Sequence, residues 1–596
     1  MESKFWRKNP IKEFNTEQTM YSLVTDEAKN DLDLEATGFM GNSMTYRELF
    51  ESAEDLAKSF NAMDVKEGDN VAILTISMPL VQQCLLSLSK IGATMSWIDL
   101  RVKEKDLINY INNGNCKAVV VFEDLLPLVE KISGDINAER VIVCSPKEYL
   151  SPVIKVLAGL KDKKEGKKII VPSDSKFVKF SDFIKEGKHT ASVSTADFKI
   201  DRPSLIVQSS GSTGKSKQIV HTERNFNSEI QKMAYVDLPF YKGDTMHVSV
   251  PPFIIYGLAN SIYASMAFTM KAEMTPFVDE NTVYNDLGKF DISLAAPLHY
   301  RYIFEQLKKL RKDIDELQKC NDSKSRTELK KKLKELNRVL SGIDRAKVFV
   351  SGGDKISAEE LIEMQQAFDR TIVNGYGNNE CLGATIVSPR FANKPGSIGV
   401  PMKGVDIKFV NPETGEEAKD GEMGELYISS DNLFVEYLNN PEETTKIKVT
   451  DENGKQWVKT GDLCVIDSEG YIVPKGRNRR LIKKDAFKIA PDTIEEVIIS
   501  LPYIKECVVV GVDDEKFISV PMAFVELEKD INLADVYEDI ERKCIEDLPD
   551  YEVPSYFEQI DEMPYTSNGK HDFRTLEELG NNLVKKRKGT SKVLKK

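Results

Sequence analysis

Residues 209 to 222 read SSGSTGKSKQIVHT, a stretch that gathers anion-binding chemistry. Glycine and small residues let backbone amides approach an anion closely, while hydroxyls and lysines add donors and charge. The apolar run SLIVQ precedes the stretch and a helical pattern follows it, which predicts a loop between a strand and a helix. It is not a Walker-type phosphate loop, because that motif requires a glycine where Ser209 stands. Taken alone, such a Gly/Ser/Lys cluster is more often a surface turn.

Five further segments gather glycine, polar and charged residues: VSGGD (350–354), NGYGNNE (374–380), KTGDL (459–463), GRNRR (476–480) and PYTSNGKHDF (564–573). Each has an ordinary reading when met singly. Asp462 suits a turn, Glu380 suits a helix cap, and Lys570 suits a solvated hairpin tip.

The elements that must position these segments are legible as alternating patterns. VAILTI (71–76) and KAVVVF (117–122) read as buried strands, with helical character between them. Strands alternating with helices predict an α/β fold with mostly parallel sheets. A chain of 596 residues exceeds a single comfortable core, so more than one domain is expected. A large N-terminal domain is predicted over 1–476, a small α+β C-terminal domain over 481–578, and a basic, disordered tail over 579–596. Within the large domain, Ile303, Leu307, Leu310, Ile314 and Leu317, then Leu329, Leu333, Leu336 and Leu340, recur at helical spacing around the polar break NDSKS. This predicts a helical hairpin over 303–340 packed on the body.

Composition excludes several classes. The chain is 41% hydrophobic and 30% charged with a net charge of −13, so no overall basic field exists for nucleic acid. The N-terminal MESKFWRKNPIKEF has no apolar run of a secretory signal. Residues 248–270 carry no charge and are long enough to span a bilayer, but Pro251, Pro252, Gly257 and Asn260 make this a core segment with a loop in it, and no membrane-spanning segment is expected. Eight scattered cysteines without a CxxC pair fit a reducing cytoplasm, and the five histidines show no metal-ligand spacing.

In order, SSGSTGKSK, NGYGNNE, GELYIS (424–429), KTGDL, GRNRRLIKKDAFKIAPDTIEE (476–496) and PYTSNGKHDF resemble the motif series of the adenylate-forming superfamily, which includes acyl-CoA synthetases and the adenylation domains of peptide synthetases. The resemblance runs from about Thr45 to Leu576. It implies an enzyme that joins a carboxylic acid to AMP, using ATP and Mg²⁺ and releasing pyrophosphate, then transfers the acyl group to the thiol of coenzyme A. By the same resemblance Ser210, Gly211, Ser212, Thr213, Gly214 and Lys215 hold phosphates. Glu380 with Thr213 binds the metal. Gly352, Gly353, Asn374, Gly375, Tyr376, Gly377 and Asn379 surround adenine and its flank. Asp462 and Arg477 bind the ribose. Lys570 neutralises charge at the α-phosphate, and the small domain turns about Arg479 in a hinge over 477–480.

The sequence departs from the family at Asn379, where threonine is usual, at Ala486, where glycine is common, and at Ile254, where many acyl-CoA synthetases carry histidine. Phe253, Ile254, Tyr256 and Gly257 are expected to wall an acyl pocket. No acid lies between 248 and 270 to pair with a substrate ammonium, and a buried unpaired cation is costly, so a fatty or aryl acid is favoured over an amino acid. Two alternatives remain at this point: loading of a separate carrier protein, and a catalytically silent nucleotide-binding scaffold.

Overall fold

The computed structural model describes residues 5–156, 170–209, 217–280, 283–320, 322–419, 421–477, 480–484, 487–514, 518–565 and 571–593. It divides into two compact units, Met1–Asp406 with Ile428–Val458, and Ile407–Tyr427 with Lys459–Lys596.

The first unit holds two large sheets. In the seven-stranded sheet, Phe177–Lys179, Arg140–Cys144, Cys116–Phe122, Asn70–Leu74, Thr94–Trp97 and Pro203–Gln208 lie in that order and run parallel, and Gln218–Thr222 closes the edge antiparallel. The nine-stranded sheet has a parallel centre of Ile372–Asn378, Val348–Gly352, Ile292–Ala295, Thr245–Val248, Lys271–Met274 and Glu35–Phe39. Antiparallel strands Gly383–Val387, Val400–Pro401 and Asn42–Thr45 flank it. Val71 to Leu74 and Ala118 to Phe122 are buried throughout, as strands covered on both faces must be. In parallel sheets of this kind ligands gather at the carboxyl ends of the strands, and the candidate segments at 209, 249 and 352 all follow such ends.

The uncharged segment after Val248 lies inside the first unit. It turns through Pro251–Ile255, continues as an eight-residue π-helix, Tyr256–Tyr263, and ends in the short helix Ala264–Ala267. Every residue from Gly257 to Met270 is buried. Among the described residues no helix is long and apolar enough to cross a membrane.

The hairpin is formed by Pro297–Gln318 and Ser323–Arg345, and Asp322 caps the second helix by accepting from the Ser325 N–H. The first helix starts earlier than its leucine spacing predicts, because Pro297 is well placed in a first turn. Ile303, Phe304 and Leu307 join Val339 and Ile343 in a core that also includes Phe349 and Phe368, which fixes the hairpin on the body. Leu333 is exposed, so the pattern does not run as an apolar seam to the tip.

In the second unit, Ile504–Asp514 and Ile518–Leu527 form a long antiparallel pair, with Phe487–Ile489 and Ile482–Lys484 on one side and Tyr556–Gln559 parallel to Ile518–Leu527. Strand alternation splits its core: Cys507 and Val509 pack with Ile494, Ile498 and Ile540, while Val508, Val510 and Val512 pack with Leu576 and Val584.

Two expectations about segment boundaries change. Lys459–Arg477 and Ile407–Tyr427 group with the C-terminal unit rather than ending the large domain at 476, because Asp462 to Ile466 pair with Ile472 to Arg477 and the Thr460 hydroxyl donates to the Leu426 carbonyl. The tail expected to be disordered from 579 is helical as far as Val593 within Phe573–Val593, held by Val584 and Leu583 against the sheet. All eight cysteines are free thiols; seven are buried, and Cys320, at the end of the first hairpin helix, is exposed.

Candidate active site

Ser210, Gly211, Ser212, Thr213, Gly214, Lys215, Arg479, Ala486 and Lys570 lie outside the described residues. The residues that bracket the phosphate-loop segment are described. Ser209 N–H donates to the Lys217 carbonyl at 2.8 Å, and Lys217 N–H donates to Ser209 Oγ at 2.9 Å, closing the segment at its base.

Beyond that base the backbone of Val435–Leu438 runs along Gln218–Thr222, with Val220 N–H donating to the Glu436 carbonyl and Leu438 N–H to the Gln218 carbonyl. This brings Tyr437 beside the loop base. Lys217 Nζ sits 4.7 Å from the centre of the Tyr437 ring and pairs with Glu443 at 2.5 Å. Hydrogen bonds from Lys217 and Lys446 hold the Glu443 carboxyl down at about 2. The Tyr437 hydroxyl donates to Glu380 Oε1 at 2.7 Å.

Glu380 sits in a short 3-10 turn, Asn379–Cys381, and does not cap it: the Asn378 side chain accepts from Cys381 N–H. The neighbouring Asn379 ties this turn to both strands that flank the phosphate loop. Its Nδ2 donates to the Gln208 carbonyl at 3.1 Å, and its own carbonyl accepts from His221 Nε2 at 2.7 Å. His221 is fully buried, and loss of hydration pushes its imidazole down to about 4.

Glycines shape the ground around Tyr376. A Cβ on Gly377 would stand 1.7 Å from the Gly383 carbonyl oxygen, so the adjoining antiparallel strand can approach only with glycine there. Gly353 has φ +88°, a left-handed conformation that glycine tolerates best. A Cβ on Gly352 would lie 3.2 Å from the Gly375 carbonyl and 3.3 Å from the Tyr256 ring, so its bareness makes room for both. The Tyr256 hydroxyl donates to the Val350 carbonyl at 3.1 Å, and the Asn374 carbonyl accepts from Ser388 N–H at 2.7 Å.

Phe253, Ile254 and Tyr256 are half-buried, as is Pro251, whereas Gly257 to Met270 are buried throughout. Gly257 serves packing: a Cβ there would stand 2.5 Å from the Pro251 and Val250 carbonyls. Arg101, held by Asp99 through Nε at 3.0 Å and Nη2 at 2.6 Å, places its guanidinium 5.7 Å from the centre of the Phe253 ring.

In the second unit Asp462 lies directly opposite Arg477 in an antiparallel ladder, and Arg477 Nε donates to Asp462 Oδ1 at 2.9 Å. Asp462 is therefore a strand residue. Gly461, at φ +75°, bends the strand just before it, with its N–H on Glu425 Oε1.

The model of AMP-binding enzymes matches residues 24–438, and that of the AMP-binding C-terminal domain matches 493–570. The chain belongs to the AMP-binding enzyme family. Like other members, it is an AMP-forming ligase that acts through ATP-dependent adenylate formation. Among relatives of this family, the long-chain-fatty-acid–CoA ligase of Bacillus subtilis is 25% identical over 95% of this chain and 96% of its own length. The long-chain-fatty-acid–CoA ligase of Haemophilus influenzae is 24% identical, covering 89% of each chain. Among solved structures, the anthranilate CoA ligase AuaEII in complex with anthranoyl-AMP superposes with a TM-score of 0.77 at 20% identity, over 96% of this chain and 98% of that one. ATP-bound MatB from Rhodopseudomonas palustris gives 0.77 at 19% identity, over 96% and 99%. These likenesses bear out the α/β fold of a large parallel-sheet domain with a small C-terminal one.

The residues fit the magnesium that accompanies ATP. Among the described residues no three or more His, Cys, Asp or Glu cluster into a metal cage, whereas magnesium on a nucleotide takes one or two carboxylates and leaves its other positions to phosphate and water. Glu380, half-buried and with Oε1 accepting from the Tyr437 hydroxyl, is a single carboxylate compatible with that need.

Proposed function

We propose that this enzyme activates an apolar carboxylic acid, fatty or aryl, as an acyl-adenylate and passes the acyl group to the thiol of coenzyme A in the cytoplasm. The observation that carries this reading is the half-buried apolar stretch Phe253, Ile254 and Tyr256 following the carboxyl end of the strand Thr245–Val248, in a segment with no acid to meet an ammonium.

In the first half-reaction a carboxylate oxygen attacks the α-phosphorus and the bond to pyrophosphate breaks. Ser210, Ser212, Thr213, Lys215 and Lys217 hold the departing phosphates through hydroxyls, amides and charge. Glu380 and Thr213 hold the magnesium, which when bound screens the phosphate charges. Tyr376 faces adenine, with Gly375, Gly377 and Gly353 keeping the backbone close, and Asp462 with Arg477 takes the ribose hydroxyls. Lys570 neutralises charge between the attacking carboxylate and the α-phosphate. The small domain then turns about Arg479, in the hinge over 477–480. The coenzyme A sulfur, its proton lost to solvent, bonds to the acyl carbon as AMP leaves.

The test is acid-dependent exchange of labelled pyrophosphate into ATP with decanoate, benzoate and the standard amino acids, followed by AMP release with and without coenzyme A or a phosphopantetheine carrier. Exchange with an apolar acid, and turnover that needs coenzyme A, is the expected result. Exchange with an amino acid alone, or turnover on the carrier alone, overturns it.

A further inference from the structure

The segment that ends at Lys570 begins and ends on residues tied to one carboxylate. Glu506 lies in the strand Ile504–Asp514. The Tyr565 hydroxyl donates to both of its oxygens, at 2.6 and 2.8 Å, and His571 Nε2 donates to Oε1 at 2.7 Å. The Tyr565 and His571 rings stack with centres 5.1 Å apart, and the two residues form an antiparallel bridge. One step outward, Asp572 N–H donates to the Pro564 carbonyl at 2.8 Å. Met563 N–H donates to Glu526, the residue opposite Glu506 in the ladder.

The downstream side is fixed as well. Asp572 accepts from Thr575 N–H and from its hydroxyl at the start of the last helix. Phe573 meets His571 edge-on at 6.0 Å and lies under the Arg480 guanidinium at 4.1 Å. Arg480 is itself bound to Asp492, Glu495 and the Val509 carbonyl. A continuous set of contacts thus runs from the residue after Arg479 to the residue after Lys570.

None of Glu506, Tyr565 and His571 belongs to the neighbouring hydrophobic cluster of Met563, Leu576 and Phe573, and Tyr565 is 50% exposed. Burial raises the Glu506 carboxyl, but the hydrogen bonds from His571 and Tyr565 outweigh it and bring it below the usual range. The carboxylate is therefore ionised, and its hydrogen bonds are of the strong, charge-assisted kind.

We propose that Glu506, Tyr565 and His571 are positioning residues for Lys570, which is the chain neighbour of clamped His571. This rests on the reading of Lys570 as the adenylation lysine. Misplacement of a reacting group by about 1 Å can cost on the order of 100-fold in rate, so a polar clamp at this point has a kinetic consequence out of proportion to its exposure.

Single-turnover adenylation, and thioester formation from supplied acyl-adenylate, are to be measured for Glu506→Gln, Tyr565→Phe and Lys570→Ala in the full chain. Amide exchange of residues 566–570 is followed by mass spectrometry in the same proteins. Both clamp variants are expected to slow adenylation about 10-fold, to speed exchange at 566–570, and to leave the ATP KM, the thiol step and Tm close to wild type. Tyr565→Phe keeps the ring stack, so it reads the hydrogen bonds alone. Wild-type adenylation and exchange in both clamp variants, with Lys570→Ala impaired, overturns the clamp and leaves the lysine reading standing. Normal adenylation by Lys570→Ala overturns both.

Discussion

The Tyr437 hydroxyl holds Glu380 Oε1 at 2.7 Å while the face of the same ring carries Lys217 Nζ at 4.7 Å. One aromatic side chain thus orients a carboxylate by its edge and a cation by its face, at the base of the phosphate loop. Removing the hydroxyl separates the two roles. Tyr437→Phe keeps the cation over the ring and frees Glu380 to rotate. On the proposed role of Glu380 as a metal ligand, losing the group that orients it should weaken metal binding about 10-fold or more. The Mg²⁺ concentration for half-maximal pyrophosphate exchange should rise accordingly, with little change in the ATP KM at saturating metal. An unchanged Mg²⁺ requirement would show that Glu380 needs no such support.

His221 makes stability depend on pH. Its imidazole is pushed down to about 4 by burial, against an ordinary value near 6.5 in the unfolded chain. Between those values the unfolded state binds a proton that the folded state does not. Stability from this group is therefore complete above about pH 6.5 and is lost as pH falls toward 4. Its size is on the order of 3 kcal/mol. Burial also depresses His247, to about 3, and His299, so the three act in the same direction. Thermal melts from pH 7 to pH 4 should show a steep fall in Tm, and His221→Gln, which retains a side-chain N–H for Asn379, should flatten it. A variant slope equal to that of wild type would refute the assignment.

Asp462→Asn keeps the size of the side chain and removes its charge. Hydrogen bonds to an ionised acceptor contribute roughly 1.5–3 kcal/mol each, so loss of one corresponds to a rise in the ATP KM of about 10-fold or more. The strand pairing with Arg477 is a backbone ladder and should survive, leaving Tm within a few degrees. An ATP KM equal to that of wild type would restrict Asp462 to its ion pair.

Ile254→Asp places a carboxylate at a half-buried position in the stretch proposed to meet the acyl chain. An apolar acyl chain would have to desolvate it, at a cost of several kcal/mol. The kcat/KM for decanoate should drop at least 100-fold, while ATP binding, measured separately, stays as it was. Decanoate turnover at the wild-type level would move the acyl pocket elsewhere.

The hydrophobic pattern made the fold legible because buried parallel strands such as VAILTI and KAVVVF are nearly continuous apolar runs bounded by polar turns. Residues 248–270 also read correctly as core, since prolines and small residues contradict a membrane helix. The unit boundary was less legible. Whether Lys459–Arg477 belongs with what precedes or follows it depends on the ladder from Asp462 to Ile466, a pairing that periodicity does not encode. Leu583 and Val584 escaped notice in a tail dominated by lysine, although two apolar residues are enough to seat a helix on an open sheet face. The family resemblance drew attention to Lys215 rather than Lys217; the partners that distinguish Lys217, Tyr437 and Glu443, lie more than two hundred residues away. The Glu506 clamp was hidden for the same reason, although Tyr565 and His571 flank the lysine motif in plain view.

The distribution of thiols has a practical consequence. Burial pushes Cys84, Cys116, Cys144, Cys381, Cys464, Cys507 and Cys544 upward, so each is both shielded and held as the unreactive thiol at neutral pH. Cys320 alone is open to solvent, just beyond the first hairpin helix. A maleimide dye should therefore couple once per native chain without mutagenesis. The unaltered enzyme comes with its own attachment point for a fluorophore, a spin label or a surface tether.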